Sequence, residues 1–194
     1  IPVGHTEKTE LKKDIVLKKL KPLLEDPSIK KVGQNIKYDF IIFKNHGIEL
    51  SSVEDTMLLS YTLDAGNNRH NMDTLSELHL GHKTISYKDL VGTGKKQLNF
   101  SEVDLKSATE YAAEDADITL RLYEVLSERV SEEKLERVYE EFEKPMIKIL
   151  SKLEMNGIKV DDAYLKKLSK KFEERLTTIE KEIYKISGKK FNIG

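Results

Sequence analysis

Tyr111 and Asp115 stand four residues apart in Tyr111-Ala-Ala-Glu-Asp115-Ala-Asp117, within a stretch whose apolar positions Leu105, Ala108, Ala112, Leu120 and Val125 read as one long helix. On a helix that spacing puts a phenol and a carboxylate on one face, about a turn apart. Metal-assisted hydrolysis of a phosphodiester needs such a pair: a carboxylate to anchor a divalent cation that acidifies a water, and a hydroxyl to orient that water. Aromatic and acidic residues also fall at this spacing in many ordinary helices, so the pair alone is weak. A second carboxylate, Asp39, follows Gln34-Asn35-Ile36-Lys37-Tyr38 at a strand-to-helix transition. Such edges are where α/β folds place their ligands. Capping and the helix dipole also favour Asp in a first turn, which explains the residue without any chemistry. Glu114 and Asp117 fall on other helix faces and read as a solvated residue and a neighbour of the site.

The elements that must position these groups are legible in outline. Ile1-Pro2-Val3 reads as the tail of a strand, an abrupt start that suggests a piece of something longer. A helix is expected from Thr9, carrying Leu11, Ile15, Leu17, Leu20 and Leu24 and stopped by Asp26-Pro27. Lys31-Val32-Gly33 is a short strand, Tyr38 to Asn45 a helix ended by His46-Gly47, Ile48 to Val53 a second strand, and Asp55 to Leu63 a helix. Asp64 to Asn99 is loop-rich, with a short helix from Met72 to Leu80, and the long helix begins at Ser101. Beyond Val130 long amphipathic helices take over, one kinking or restarting at Pro145 and stopping at Asn156-Gly157. The last is capped by Asp161 or Asp162 and carries Leu165, Leu168, Phe172, Leu176, Ile179, Ile183 and Ile186 in steps of three and four. That stripe predicts lengthwise packing against another helix, and self-association if no partner covers it. A domain boundary is expected near Ser131, giving residues 1–130 and 131–194.

Composition narrows the class. The 194 residues are 38% hydrophobic and 35% charged, which suits helices with salt-rich outer faces. A net charge of −1 gives no global basic signal for nucleic acid, but carboxylates gathered around cations can meet phosphate through the metal. No apolar run has transmembrane length, no basic-then-apolar leader opens the chain, and cysteine is absent, so no membrane partner and a cytoplasmic compartment are expected. Gly92-Thr-Gly94-Lys95-Lys96 lacks the glycine spacing and the hydroxyl residue of a phosphate loop and reads as a basic surface loop. His70, His79 and His82 match no compact zinc spacing. Lys166, Lys167, Lys170 and Lys171 read as a solvated face.

Lys31 to Asp39, Arg69-His70-Asn71-Met72-Asp73-Thr74-Leu75 and Tyr111 to Asp117 together resemble the 3′-5′ exonuclease domain of the bacterial DNA polymerase I family. Lys144-Pro145-Met146 through Asn156-Gly157-Ile158-Lys159-Val160-Asp161 resembles the connection into the polymerase domain, and Phe191-Asn192-Ile193 the start of its thumb. The resemblance implies an α/β, ribonuclease-H-like exonuclease fold lacking its first strands and followed by long amphipathic helices. It implies DNA synthesis in replication and repair, proofreading with two Mg²⁺ or Mn²⁺ ions, and a nucleoid-associated bacterial cytoplasm. Asp39 and Asp115 would be metal ligands and Tyr111 would orient the attacking water. Gln34 and Asn35 would hydrogen-bond near the strand terminus, while Arg69, Met72 and Tyr87 would line the path of a single-stranded DNA 3′ end. A primer-template duplex and the remainder of the polymerase chain are the other implied partners.

The sequence departs from this pattern at one point. An Asp-x-Glu pair should precede Asp39, and none does. Asp55-Thr56-Met57 is a decoy, with Met where Glu belongs and the wrong place in the order. Two ions a few ångströms apart repel unless anionic ligands bridge them, so this stretch alone is expected to hold metal weakly and to be nearly inactive. A vestigial domain serving as scaffold and DNA-binding module is one alternative. A stand-alone exonuclease of the same superfamily is another, although it leaves the Pro145 to Val160 connection and the last helix unexplained.

Overall fold

The computed structural model describes residues 1–6 and 11–193; the expected helix start at Thr9 lies outside them. The chain divides into two compact units, Ile1–Met155 and Asn156–Gly194. In the first, α1 (Lys13–Glu25) leads to β1 (Lys31–Gly33), α2 (Ile36–Asn45), β2 (Val53–Asp55) and α3 (Thr56–Asp64). Next come α4 (Met72–Leu80), α5 (Tyr87–Val91), the long α6 (Leu105–Glu132), α7 (Glu136–Val138), a π-helical turn over Tyr139–Glu143 and α8 (Lys144–Asn156). β1 and β2 pair in parallel, with Lys31 opposite Val53, Val32 opposite Glu54 and Gly33 opposite Asp55. α2 is the crossover that a parallel pair requires.

Several expected boundaries move, each for a local reason. The second strand runs over Val53–Asp55 instead of Ile48 to Val53, because Ser52 takes a positive φ of 51° and only after it does the chain align with β1. α2 starts two residues before Tyr38, directly after Asn35, which takes a left-handed conformation at φ 57°. Phe100–Glu102 forms a separate 3₁₀ turn, and α6 begins at Leu105 behind the Asp104 cap, whose carboxylate accepts the Ser107 N–H at 3.0 Å. Ile1 to Val3 is irregular chain and not the end of a strand.

α6 is the spine of this unit. Ile118, Leu122, Leu126 and Val130 recur every fourth residue, all buried, and pack with Leu59 of α3, Leu75 of α4 and Tyr139 in one core. Ile36, Leu50, Val53 and Ile147 form a second core beneath the strand pair, and Val91, Val103 and Ala108 a third where α5 meets the start of α6. Gly33 is where strand and helix come closest: a Cβ there would lie 2.8 Å from Cγ1 of Ile36. The residue is glycine because of this close approach.

The second unit is built on α9 (Asp162–Ser187). Asp161 caps it by accepting the Tyr164 N–H at 2.9 Å, and Gly188 ends it in the left-handed conformation. The Tyr184 ring meets Phe191 edge-on at 5.8 Å, folding the tail back along the helix. No residue of α9 is buried, so its apolar stripe stands open, with Leu176 at 67% exposure and Ile186 at 87%.

Candidate active site

β1 ends and α2 begins beside the middle of α6, and this juxtaposition makes a cavity of about 470 Å³. Its walls include Gln34, Asp39, Met72, Asp115 and Thr119. The row 111, 115, 119 runs along α6 next to the buried row 118, 122, 126, so the packing that seats Ile118 and Leu122 also turns Asp115 towards the strand end. Asp39 reaches the same cavity from the first turn of α2. The two carboxylates marked out by spacing thus share one space although 76 residues separate them in sequence.

Burial sets the electrostatics. It pushes the Asp115 carboxyl up to about 6, with a further rise from the negative charges of Glu114 and Asp73; the Tyr111 hydroxyl beside it pulls the other way. Tyr111 itself rises to about 12, through burial first and then through the adjacent Asp115 carboxylate. Asp39, accessible at its edge but crowded by the cavity wall, is also shifted upward by desolvation. Oδ1 of Asp115 is buried with no hydrogen-bond partner. An orphaned buried acceptor in a cavity that a second carboxylate also lines suits a cation, which would satisfy the oxygen and lower the Asp115 carboxyl again. Asp39 and Asp115 are the two carboxylates lining this cavity, and their oxygens are of the type a divalent ion would take. Among the described residues no cluster of three or more His, Cys, Asp or Glu side chains converges on one point.

Of the remaining expected residues, Gln34 and Met72 line the cavity, whereas Asn35, Arg69, Tyr87 and Tyr111 are not among its lining residues. Met72 lines the cavity and receives the Thr119 hydroxyl at its Sδ, 3.7 Å away. Gln34 donates to the His70 carbonyl at 2.7 Å and accepts from the Thr56 hydroxyl, leaving one N–H and one lone pair of its amide free for another group. Asn35 and Arg69 are exposed. Tyr87 opens α5, its ring stacked on Phe100 at 6.3 Å and 16° and tilted against Tyr111 at 6.1 Å. Phe100 also meets Tyr111, at 5.9 Å, so three rings form one wall leading to Asp115.

Some of what the site uses was not readable from spacing. Phe100 enters from a 3₁₀ turn that has no periodic relation to α6. Asp73 bonds the Thr84 hydroxyl at 2.7 Å and adds charge beside Asp115; its only sequence signal was its place in the Arg69 to Leu75 motif. The readings of Glu114 and Asp117 exchange places. Glu114 accepts His82 Nε2–H at 2.8 Å and the Ile85 N–H at 2.7 Å, pinning the approach to α5, because its helix face meets that loop and not solvent. Asp117 is exposed and pairs with Arg121 on the outer face at 3.4 Å. His70 bonds Ser60 while His82 bonds Glu114, so the histidines serve separate structural pairs.

Comparison with known proteins places the chain in a family. A family model described as 3′-5′ exonuclease matches residues 3–131, so the chain belongs to the 3′-5′ exonuclease domain family of the family A DNA polymerases. It is 50% identical over 178 residues to DNA polymerase I of Rhizobium leguminosarum, covering 92% of this chain and 18% of that protein. It is 41% identical to DNA polymerase I of Pseudomonas aeruginosa and 37% identical to that of Borreliella burgdorferi, covering all of this chain and 22% and 21% of those proteins. The chain therefore spans about a fifth of the length of these relatives. A solved structure described as the POL domain of Pol1 from M. smegmatis in complex with DNA primer-template and dNTP superposes with a TM-score of 0.69 over 96% of this chain and 30% of that one, at 21% identity. The fold is the ribonuclease-H-like α/β arrangement, followed by long helices. Among the described residues no helix is long and apolar enough to cross a membrane.

Proposed function

We propose that residues 1–130 are a hydrolytic editing domain that removes nucleotides from a single-stranded DNA 3′ end, and that residues 131–194 connect it to a polymerase thumb. The parent protein on this reading is a DNA polymerase I that binds a primer-template duplex, synthesises DNA in replication and repair, and works in the bacterial cytoplasm. The observation that carries the reading is the shared cavity of Asp39 and Asp115 with its orphaned Asp115 oxygen. These two carboxylates would hold Mg²⁺ or Mn²⁺, which when bound would acidify a water and offset phosphate charge.

The chain's own groups do the rest. Tyr111 keeps its proton at neutral pH, since its pKa is pushed up to about 12, and its hydroxyl, beside the Asp115 carboxyl, can help orient the attacking water. The Tyr87, Phe100 and Tyr111 wall offers ring faces and edges on which an unpaired base can rest. Gln34 and Asn35 lie where β1 runs into α2 and can hydrogen-bond the terminal nucleotide, while Arg69 and Met72 border the strand's path. No Asp-x-Glu pair precedes Asp39, so this stretch by itself holds cations weakly and trims DNA slowly.

Labelled single-stranded DNA tests the reading in two incubations with Mg²⁺, one with the full-length protein and one with residues 1–194. The expected result is rapid release of nucleotides from the 3′ end by the full-length protein, abolished by EDTA, and little release by the shorter chain. Absence of trimming by the full-length protein would favour the scaffold reading instead.

A further inference from the structure

Asp55 is only 1% exposed, and its carboxylate serves the starts of two helices at once. Oδ1 accepts the N–H of Asn35 at 3.0 Å and of Met57 at 2.9 Å, and Oδ2 accepts the N–H of Ile36 at 3.0 Å. The bond to Met57 caps α3, a task for which one acceptor on a serine or threonine would suffice. The other two bonds reach across to the neighbouring element. Asn35 stands at the N-cap of α2 but makes no side-chain capping bond, so Asp55 satisfies the first amides of α2 in its place. Both helix N-termini present partial positive charge to the one carboxylate.

Geometry then links Asp55 to the site. The turn it pins holds a non-glycine residue at φ 57°, a conformation that persists only where the surroundings enforce it. Asp39 lies three residues beyond Ile36, within the first turn of the helix launched from that turn. The pin is braced from behind. The Asp55 N–H donates to the Tyr139 hydroxyl at 3.0 Å, that hydroxyl donates to Glu54 at 2.9 Å, and Glu54 accepts Lys144 Nζ at 2.8 Å.

We propose that Asp55 is a positioning residue for hydrolysis: by capping α2 from the adjacent strand it fixes where the Asp39 carboxylate stands. The motif that looked like a misplaced metal ligand is a support for one. The inference rests on the reading of Asp39 given above, and a double-mutant comparison in the full-length protein separates the two. Trimming of labelled single-stranded DNA is measured for the unmodified protein, Asp39→Ala, Asp55→Asn and the double variant, with kcat, KM and the Mg²⁺ concentration for half-maximal rate. Asp55→Asn is expected to lower kcat by about 10- to 100-fold and to raise the Mg²⁺ requirement, with KM little changed. The double variant is expected to be no slower than Asp39→Ala, because both changes act through one group.

Effects that multiply in the double variant, or an unchanged Mg²⁺ requirement in Asp55→Asn, would overturn the proposal alone. Full activity of Asp39→Ala would overturn the reading of Asp39 and the proposal with it. If Asp55→Asn does not fold, hydrogen–deuterium exchange of the unmodified protein decides the matter. Slow exchange of the Asn35 and Ile36 amides supports the pin, and exchange at the rate of a free turn contradicts it.

Discussion

The Tyr111 hydroxyl stands beside the Asp115 carboxyl one helical turn along α6, and each changes the other's proton affinity: Asp115 raises Tyr111, while Tyr111 lowers Asp115. Tyr111→Phe removes that counterweight and keeps the ring against Phe100. The expected outcome is a kcat about 10- to 100-fold lower, with the acid limb of the pH–rate profile moved to higher pH. An unmoved acid limb would show that Tyr111 does not tune Asp115.

Asp115 also gives the chain a pH signature of its own. Burial pushes its folded pKa up to about 6 from the ordinary 3.8, so between those values the folded state binds more protons than the unfolded one. Stability from this group is full below about pH 4, falls as pH rises to about 6, and changes little beyond. Without divalent cations, unfolding midpoints of the unmodified protein relative to Asp115→Asn should decline across that window. Adding Mg²⁺ or Mn²⁺ at neutral pH should recover the loss in the unmodified protein only.

Glu114 predicts a change of a different kind. It holds the loop before α5 through His82 and the Ile85 amide, and α5 carries Tyr87. Glu114→Ala frees that loop while leaving Asp39 and Asp115 in place. KM for single-stranded DNA should rise several-fold with a smaller change in kcat. A fall in kcat alone would assign Glu114 to the chemistry instead.

The buried Tyr139 hydroxyl joins the segment after α6 to β2. Tyr139→Phe strands the Asp55 N–H and removes one donor from Glu54, at a cost of about 1 to 3 kcal/mol for unsatisfied buried groups. Thermal unfolding of the full-length protein measures it, and the transition that contains this unit should move to lower temperature.

How far the sequence carried the account depends on the range over which each signal acts. Periodicity is local, so the existence of α6, α9 and the short β1 was legible, from the Leu105 to Val125 positions, from the Leu165 to Ile186 stripe and from Lys31-Val32-Gly33; the core face of α6 was not, since Ala112 and Leu120 are exposed and Ile118, Leu122 and Leu126 are the buried row. The bounds of β2 and α2 were not, because Ser52 and Asn35 take positive φ values that only tertiary hydrogen bonds enforce. The site shows the same division. Asp39, Tyr111 and Asp115 could be marked by spacing and by family resemblance. Phe100, Asp73 and Glu114 join them through loop packing that has no period, and Asp55 acts through backbone amides, which carry no side-chain signature.

The stripe on α9 predicts behaviour in solution. With Leu176 and Ile186 largely exposed, residues 1–194 should self-associate as concentration rises, and Leu176→Glu should hold them monomeric in light scattering. A strict monomer at all concentrations would show that the stripe finds cover within the chain.

The claim on which most depends is that Asp39 and Asp115 form one metal-dependent hydrolytic site. Its most direct test is the Mg²⁺-dependent rate of nucleotide release from a labelled single-stranded 3′ end by the full-length protein carrying Asp115→Ala, with primer extension measured in the same preparation. The expected result is a loss of about 100-fold or more in release, with extension unchanged. Release within about twofold of the unmodified rate, well inside the span of a supporting residue, would contradict it.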